Sequence, residues 1–163
     1  YRNCAESHFK VLEETLLSDG QPVFILEDDV DVDAIIKNNL DVPIPEDADA
    51  VYFGTSHGDG NYKAINLKNG WLKIERVFAT HSIMHISKNF AEEVINVGKR
   101  WIYENNRPFD VGIAYEIQPK YNVYAPLKPF FYQSDAKNEV NKWEIMTRTP
   151  LKNEKAFSLN TIG

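Results

Sequence analysis

The sequence predicts a single α/β domain, and three observations carry that expectation. Residues 5–17 repeat apolar side chains at helical spacing, the next run, Val23-Phe24-Ile25-Leu26, is short and wholly apolar, and further strand-like and helix-like stretches continue to about residue 133. With 163 residues, 43% of them hydrophobic and 26% charged, the chain has the size and composition of one compact unit with its own core. No internal repeat, low-complexity tract or linker divides it. Residues 1–163 are therefore expected to form one domain, with a polar, irregular tail from about residue 134.

Ala5, Phe9, Leu12 and Leu16 stand three or four apart, with Glu6, Lys10, Glu13 and Glu14 between them, as an amphipathic helix requires; Ser18-Asp19-Gly20 ends it. The uninterrupted apolar run 23–26 suits a strand buried on both faces of a mainly parallel sheet. Residues 33–40 have the pattern of a short helix, and Pro43, Pro45 and the acidic cluster 46–49 mark a loop. A strand over 50–53 leads into a glycine-rich turn over 54–60. Between 71 and 78, Trp71, Lys73 and Glu75 alternate with Leu72, Ile74 and Arg76, which favours a half-exposed antiparallel strand. Residues 82–86 form another strand, and Ser87-Lys88-Asn89 opens a helix from 90 to about 103 with Ala91, Val94, Ile95 and Trp101 turned inward. Arg107-Pro108 breaks that helix. A short helix over 109–117, beginning near Asp110, and a strand over 121–125 complete the pattern.

Composition narrows the function. The net charge of −6 disfavours a domain that holds nucleic acid by counterion release, and no run approaches the ~20 apolar residues that span a bilayer. A cytoplasmic protein is expected, with peripheral membrane contact as the alternative. Cys4, the sole cysteine, forms no intramolecular disulfide and is expected to be a small buried apolar residue. The start of the chain carries neither an initiator Met nor a signal-peptide pattern, as a fragment or a processed product would.

The most informative segment is Glu27-Asp28-Asp29, which places three carboxylates where an apolar strand emerges. Open α/β sheets bind ligands at the carboxyl ends of their strands. Side chains alternate across a strand, so Glu27 and Asp29 can face one side, where hard oxygen donors hold Mn²⁺ or Mg²⁺ against a diphosphate, and Asp28 points away. The bland alternatives are solvated charges at a loop start and a cap for a helix near Asp33. Ca²⁺ buffering is disfavoured, because the EF-hand spacing is missing.

Around this triplet and in the helix before it, the sequence resembles glycosyltransferases of the family 25 type, which include lipooligosaccharide and collagen galactosyltransferases. The segment from Asn3 through Cys4, Ser7 and His8 to Glu13 is similar to that family's Gly-Cys-x-x-Ser-His helix, with Asn3 in place of the glycine. Phe24-Ile25-Leu26-Glu27-Asp28-Asp29-Val30 is similar to its Leu-Glu-Asp-Asp metal motif. The stretch 79–88, Pro108-Phe109-Asp110-Val111, and 126–133 resemble later family segments. The resemblance implies a GT-A-like, Rossmann-like mixed sheet flanked by helices. The family's opening strand, which receives the nucleotide base, has no counterpart before the Ser-His helix, so a sheet lacking that strand is expected.

The same resemblance implies a metal-dependent, inverting transfer of sugar from a nucleotide-diphosphate donor, a UDP-sugar first of all, to a saccharide, glycolipid or hydroxylated-polymer acceptor, as in lipopolysaccharide biosynthesis. Glu27 and Asp29 would hold Mn²⁺ or Mg²⁺, and Asp28 would lie near the ribose or sugar. Asp110 is the expected base for the acceptor hydroxyl, with capping of a helix at Val111 as its structural alternative. Ser7, His8, Ser56, His57 and Gln133 are expected to contact the donor, and local packing or an ordinary polar loop is the alternative for each. Two other functions use the same carboxylates: metal-dependent phosphoester hydrolysis, and a non-catalytic module that binds sugar or nucleotide.

Overall fold

The computed structural model describes residues 1–32, 43–54, 63–78, 80–127 and 129–133. In chain order these form α1 (Arg2–Glu14), α2 (Leu16–Asp19), β1 (Val23–Leu26), β2 (Val30–Val32), β3 (Ala50–Tyr52), β4 (Lys63–Asn66), β5 (Trp71–Arg76), β6 (Ser82–His85), α3 (Lys88–Lys99), α4 (Phe109–Gly112), β7 (Val123–Pro126) and β8 (Phe131–Gln133). The expected helix over 33–40, most of the glycine-rich turn and the tail lie outside the described residues.

The architecture is α/β, with a mixed six-stranded sheet in the order β1-β6-β3-β7-β5-β4 and a separate β2-β8 ribbon. The expected mainly parallel sheet does not form. The sheet is mostly antiparallel: only β3 and β7 run parallel, while β1–β6, β6–β3, β7–β5 and β5–β4 are antiparallel. Nor is β1 buried on both faces. It is an edge strand with Phe24 40% and Leu26 49% exposed, while Val23 and Ile25 pack inward. A four-residue apolar run looks alike in a central strand and in an edge strand whose outer side chains lean on aromatic neighbours; here Phe24 packs on Phe53 and Phe131. The alternating segment 71–76 does form an antiparallel strand, between β4 and β7.

The described helices pack on one face of the sheet. Phe9 and Leu12 of α1, Phe90 and Val94 of α3, and Phe109 of α4 join Tyr52, Ile74, Ile83 and Val123 in the larger core. Burying a side chain the size of Phe90 stabilises the fold by about 1.5–3 kcal/mol. The opposite face is covered by Val30 from the ribbon, Phe130, Phe131 and the 44–48 loop, which close over Val51, Phe53, Trp71 and Tyr124.

Helix ends explain the connections. Ser87 caps α3 by accepting a hydrogen bond from the Phe90 N–H at 3.2 Å. Both later helices then widen into π-helical turns, α3 over Arg100–Glu104 and α4 over Ile113–Ile117, and a 3₁₀ turn (Gln118–Lys120) comes next. The expectation that Asp110 caps its helix is corrected, because α4 starts one residue earlier, after Pro108, and Asp110 lies inside the first turn. Proline suits that entry, since its missing N–H has no helical partner to lose. Among the described residues no helix is long and apolar enough to cross a membrane.

Candidate functional site

The carboxyl end of β1 is where α1, α4, the strand edge and the ribbon converge. The strand stops at Leu26, and the Val30 N–H donates to the Glu27 carbonyl at 3.2 Å, closing a turn through Asp28 and Asp29. The two-residue alternation that would put Glu27 and Asp29 side by side therefore does not extend through the triplet. Asp28 is exposed and Asp29 half-buried. The ribbon sits against this turn: Val30 pairs with Gln133, so Gln133 lies next to the acidic segment in backbone register.

Glu27 turns toward α1. Its Oε1 accepts hydrogen bonds from Thr80 Oγ1 at 2.8 Å and Cys4 Sγ at 3.5 Å, and lies 3.2 Å from His8 Nε2. An ionised carboxylate only accepts, so His8 Nε2 carries the proton in that contact. Burial pushes the Glu27 pKa up, but the hydrogen bonds from His8 and Thr80 outweigh it and hold the carboxyl below its ordinary range. Cys4 responds in the opposite sense. Burial, and then the neighbouring Glu27 charge, push its thiol up to about 12, so it stays protonated.

His8 is 3% exposed, and its ring lies 5.4 Å from that of Phe109, at the start of α4. That contact brings α4, and with it Asp110, to the same end of the sheet. The Asp110 charge raises the pKa of both Cys4 and Tyr52, which places its carboxylate within electrostatic reach of the Glu27 cluster. Ser7 is exposed on the other side of α1, and its Oγ donates to the Asn3 carbonyl one turn back at 2.9 Å.

Of the sequence-predicted residues, the structure thus gathers His8, Glu27, Asp28, Asp29 and Asp110 at one end of β1, with the backbone of Gln133 alongside. It leaves Ser7 on the helix surface. Ser56 and His57 lie outside the described residues.

Sequence reasoning missed several members of this region. Thr80 orients Glu27 from the loop before β6, and nothing in its local pattern marks it. Cys4 joins the cluster, although its spacing of four from His8 on a helix did signal a shared face. Ser82 and His85 of β6, and His81 just before it, are buried. Gly54 passes so close over them that a Cβ would lie 2.2 Å from His81 Nε2 and 2.6 Å from both Ser82 Oγ and the Phe131 carbonyl oxygen. Burial lowers the pKa of His81, and it lowers that of His85 to about 3, so both rings are neutral at physiological pH.

Compared with protein-family models, with curated proteins and with solved structures, the chain finds no match.

Proposed function

We propose that this chain is a metal-dependent, nucleotide-sugar glycosyltransferase domain. The observation that carries this reading is the acidic turn at the carboxyl end of β1, with exposed Asp28 and half-buried Asp29 beside the Gln133 strand, and Asp110 within electrostatic reach of the neighbouring Cys4. Two carboxylates at consecutive positions offer hard oxygen donors. They fit Mn²⁺ or Mg²⁺, which take one or two protein carboxylates and complete their shell with water and substrate phosphates.

In this reading Asp29, with Asp28, holds the ion, and Glu27 positions the turn through its bonds to α1. A bound divalent ion supplies neutralisation of the charge on the departing diphosphate. Asp110 takes the proton of the acceptor hydroxyl as its oxygen bonds to the anomeric carbon and the bond from that carbon to the diphosphate breaks, which inverts the anomeric centre. The donor is a UDP-sugar and the acceptor a saccharide or glycolipid.

Calorimetric titration of UDP into the chain, with and without Mn²⁺, tests the proposal. Binding that requires Mn²⁺ and is lost in Asp29→Asn is expected. An Asp110→Asn variant should keep that binding while transfer falls by about 10²–10⁴-fold. Absence of nucleotide binding in every combination of ion and base would overturn the reading and leave a non-catalytic module.

A further inference from the structure

A cluster of three potential metal ligands, distinct from the acidic turn, lies where α1 meets the end of β1. Cys4 and His8 stand one turn apart on α1 and face inward together, and Glu27 closes the third corner. Cys4 Sγ lies 3.5 Å from Glu27 Oε1, His8 Nε2 lies 3.2 Å from the same oxygen, and all three donor atoms fall within 4.8 Å of one another.

These separations can be compared with those an ion would impose. Zinc sits about 2.3 Å from a thiolate and about 2.0 Å from an imidazole nitrogen or carboxylate oxygen. At tetrahedral angles the sulfur and oxygen would then be roughly 3.5 Å apart, and the nitrogen and oxygen roughly 3.3 Å. Two edges of the observed triangle already have about those lengths, and the sulfur–nitrogen edge is within 4.8 Å.

We propose that Cys4, His8 and Glu27 are three ligands of a zinc-type site, selective for borderline divalent ions, with a fourth position left to solvent or a small ligand. The chemistry of the donor set supports this. A thiolate, an imidazole and a carboxylate together favour zinc over Mg²⁺ or Ca²⁺. Thiolate and carboxylate cancel the charge of a divalent ion, which suits a cluster in which His8 is buried and the other two are half-buried. Thr80 Oγ1, 2.8 Å from Glu27 Oε1, supplies the outer hydrogen bond that fixes a ligating carboxylate. Binding forms a sulfur–metal bond, and the Cys4 thiol proton leaves to solvent. The site does not depend on the transferase reading, whose ion is held by Asp28 and Asp29 and which uses Glu27 only to position the turn.

Cobalt(II), the spectroscopic stand-in for zinc, provides the test when titrated into the 163-residue chain without nucleotide. One equivalent should produce tetrahedral visible bands and a thiolate-to-cobalt charge-transfer band, both erased by an equivalent of Zn²⁺ and untouched by excess Mg²⁺. Cys4→Ser should lose the charge-transfer band. Thr80→Val, which keeps all three ligands, should weaken binding about 10–100-fold. A wild-type chain with no thiolate band at one equivalent, or a Cys4→Ser chain that retains it, overturns the proposal.

Discussion

Replacing His85 with leucine isolates the effect of a buried imidazole on this fold. His85 is 1% exposed within β6, between β1 and β3, and its ring lies 5.7 Å from that of Phe90. Neither ring nitrogen has a hydrogen-bond partner among the described residues. Burial first, and the neighbouring His8 second, lower its pKa from 6.5 to about 3. As pH falls below 6.5 the unfolded chain takes up a proton that the native state refuses, so stability drains away until the folded value near 3 is reached. Between about pH 7 and about pH 5 the loss from this one group is about 2 kcal/mol, and across the whole shift it approaches about 5 kcal/mol. Leucine has a similar volume and no proton to gain. His85→Leu should be at least as stable as the wild type at neutral pH, because two unpaired polar atoms leave the core. It should also lose about 2 kcal/mol less on acidification to about pH 5. Urea unfolding of both proteins at the two pH values measures this double difference, in which other titrating groups cancel. An identical loss in both proteins would refute the assignment of a buried, neutral His85.

Three further outcomes are expected. Gln118 is buried and clasps the Val77 backbone, accepting from its N–H at 2.7 Å and donating to its carbonyl at 2.9 Å; Gln118→Leu should cost about 2–4 kcal/mol in denaturant unfolding, and a change under about 0.5 kcal/mol would contradict it. Gly54→Ala forces a Cβ against the His81 ring and the Phe131 carbonyl and should destabilise by about 1–3 kcal/mol, measured by the urea midpoint. The Glu27 carboxyl, depressed below its ordinary value of 4.5, stabilises the fold above that pH and loses its contribution as pH falls through the lower folded value. Glu27→Gln should therefore cost about 1 kcal/mol at neutral pH and little in strong acid, and a penalty independent of pH would count against a depressed carboxyl.

Much of the fold was legible because period and burial coincide. Ala5, Phe9, Leu12 and Leu16 are all buried on the predicted face of α1 and its continuation into α2, and Ser87 caps the helix that its type and position announced. Strand direction was not legible. The run Val23–Leu26 carries no mark of whether its neighbour is parallel, and the aromatic contacts that shelter Phe24 come from Phe53 and Phe131, far along the chain. The site was partly legible for a related reason. Acidic residues at a strand end are visible locally, but the turn that separates Asp28 and Asp29 from Glu27 depends on the Val30 N–H, and the engagement of Glu27 depends on Thr80, 53 positions away. The strand over 82–86 was legible, but the burial of Ser82 and His85 within it, and of His81 just before it, was not, because polar side chains give no apolar pattern that marks an interior.

The two π-helical turns set the rotational phase of the residues after them. Each wide turn accommodates one residue more than an α-helix would, and a single residue corresponds to about 100° of rotation about the helix axis. The turn at Arg100–Glu104 sets Trp101 over Gly112, where a Cβ would lie 2.6 Å from the indole, and lets its Nε1 donate to Glu116 Oε1 at 2.5 Å. The turn at Ile113–Ile117 rotates Gln118 inward to reach Val77. Deleting one residue from this second stretch would leave composition and helical propensity nearly untouched, yet it would swing Gln118 away from the backbone groups it satisfies. Along this part of the chain, length counted in single residues matters more to the core than the identity of most side chains.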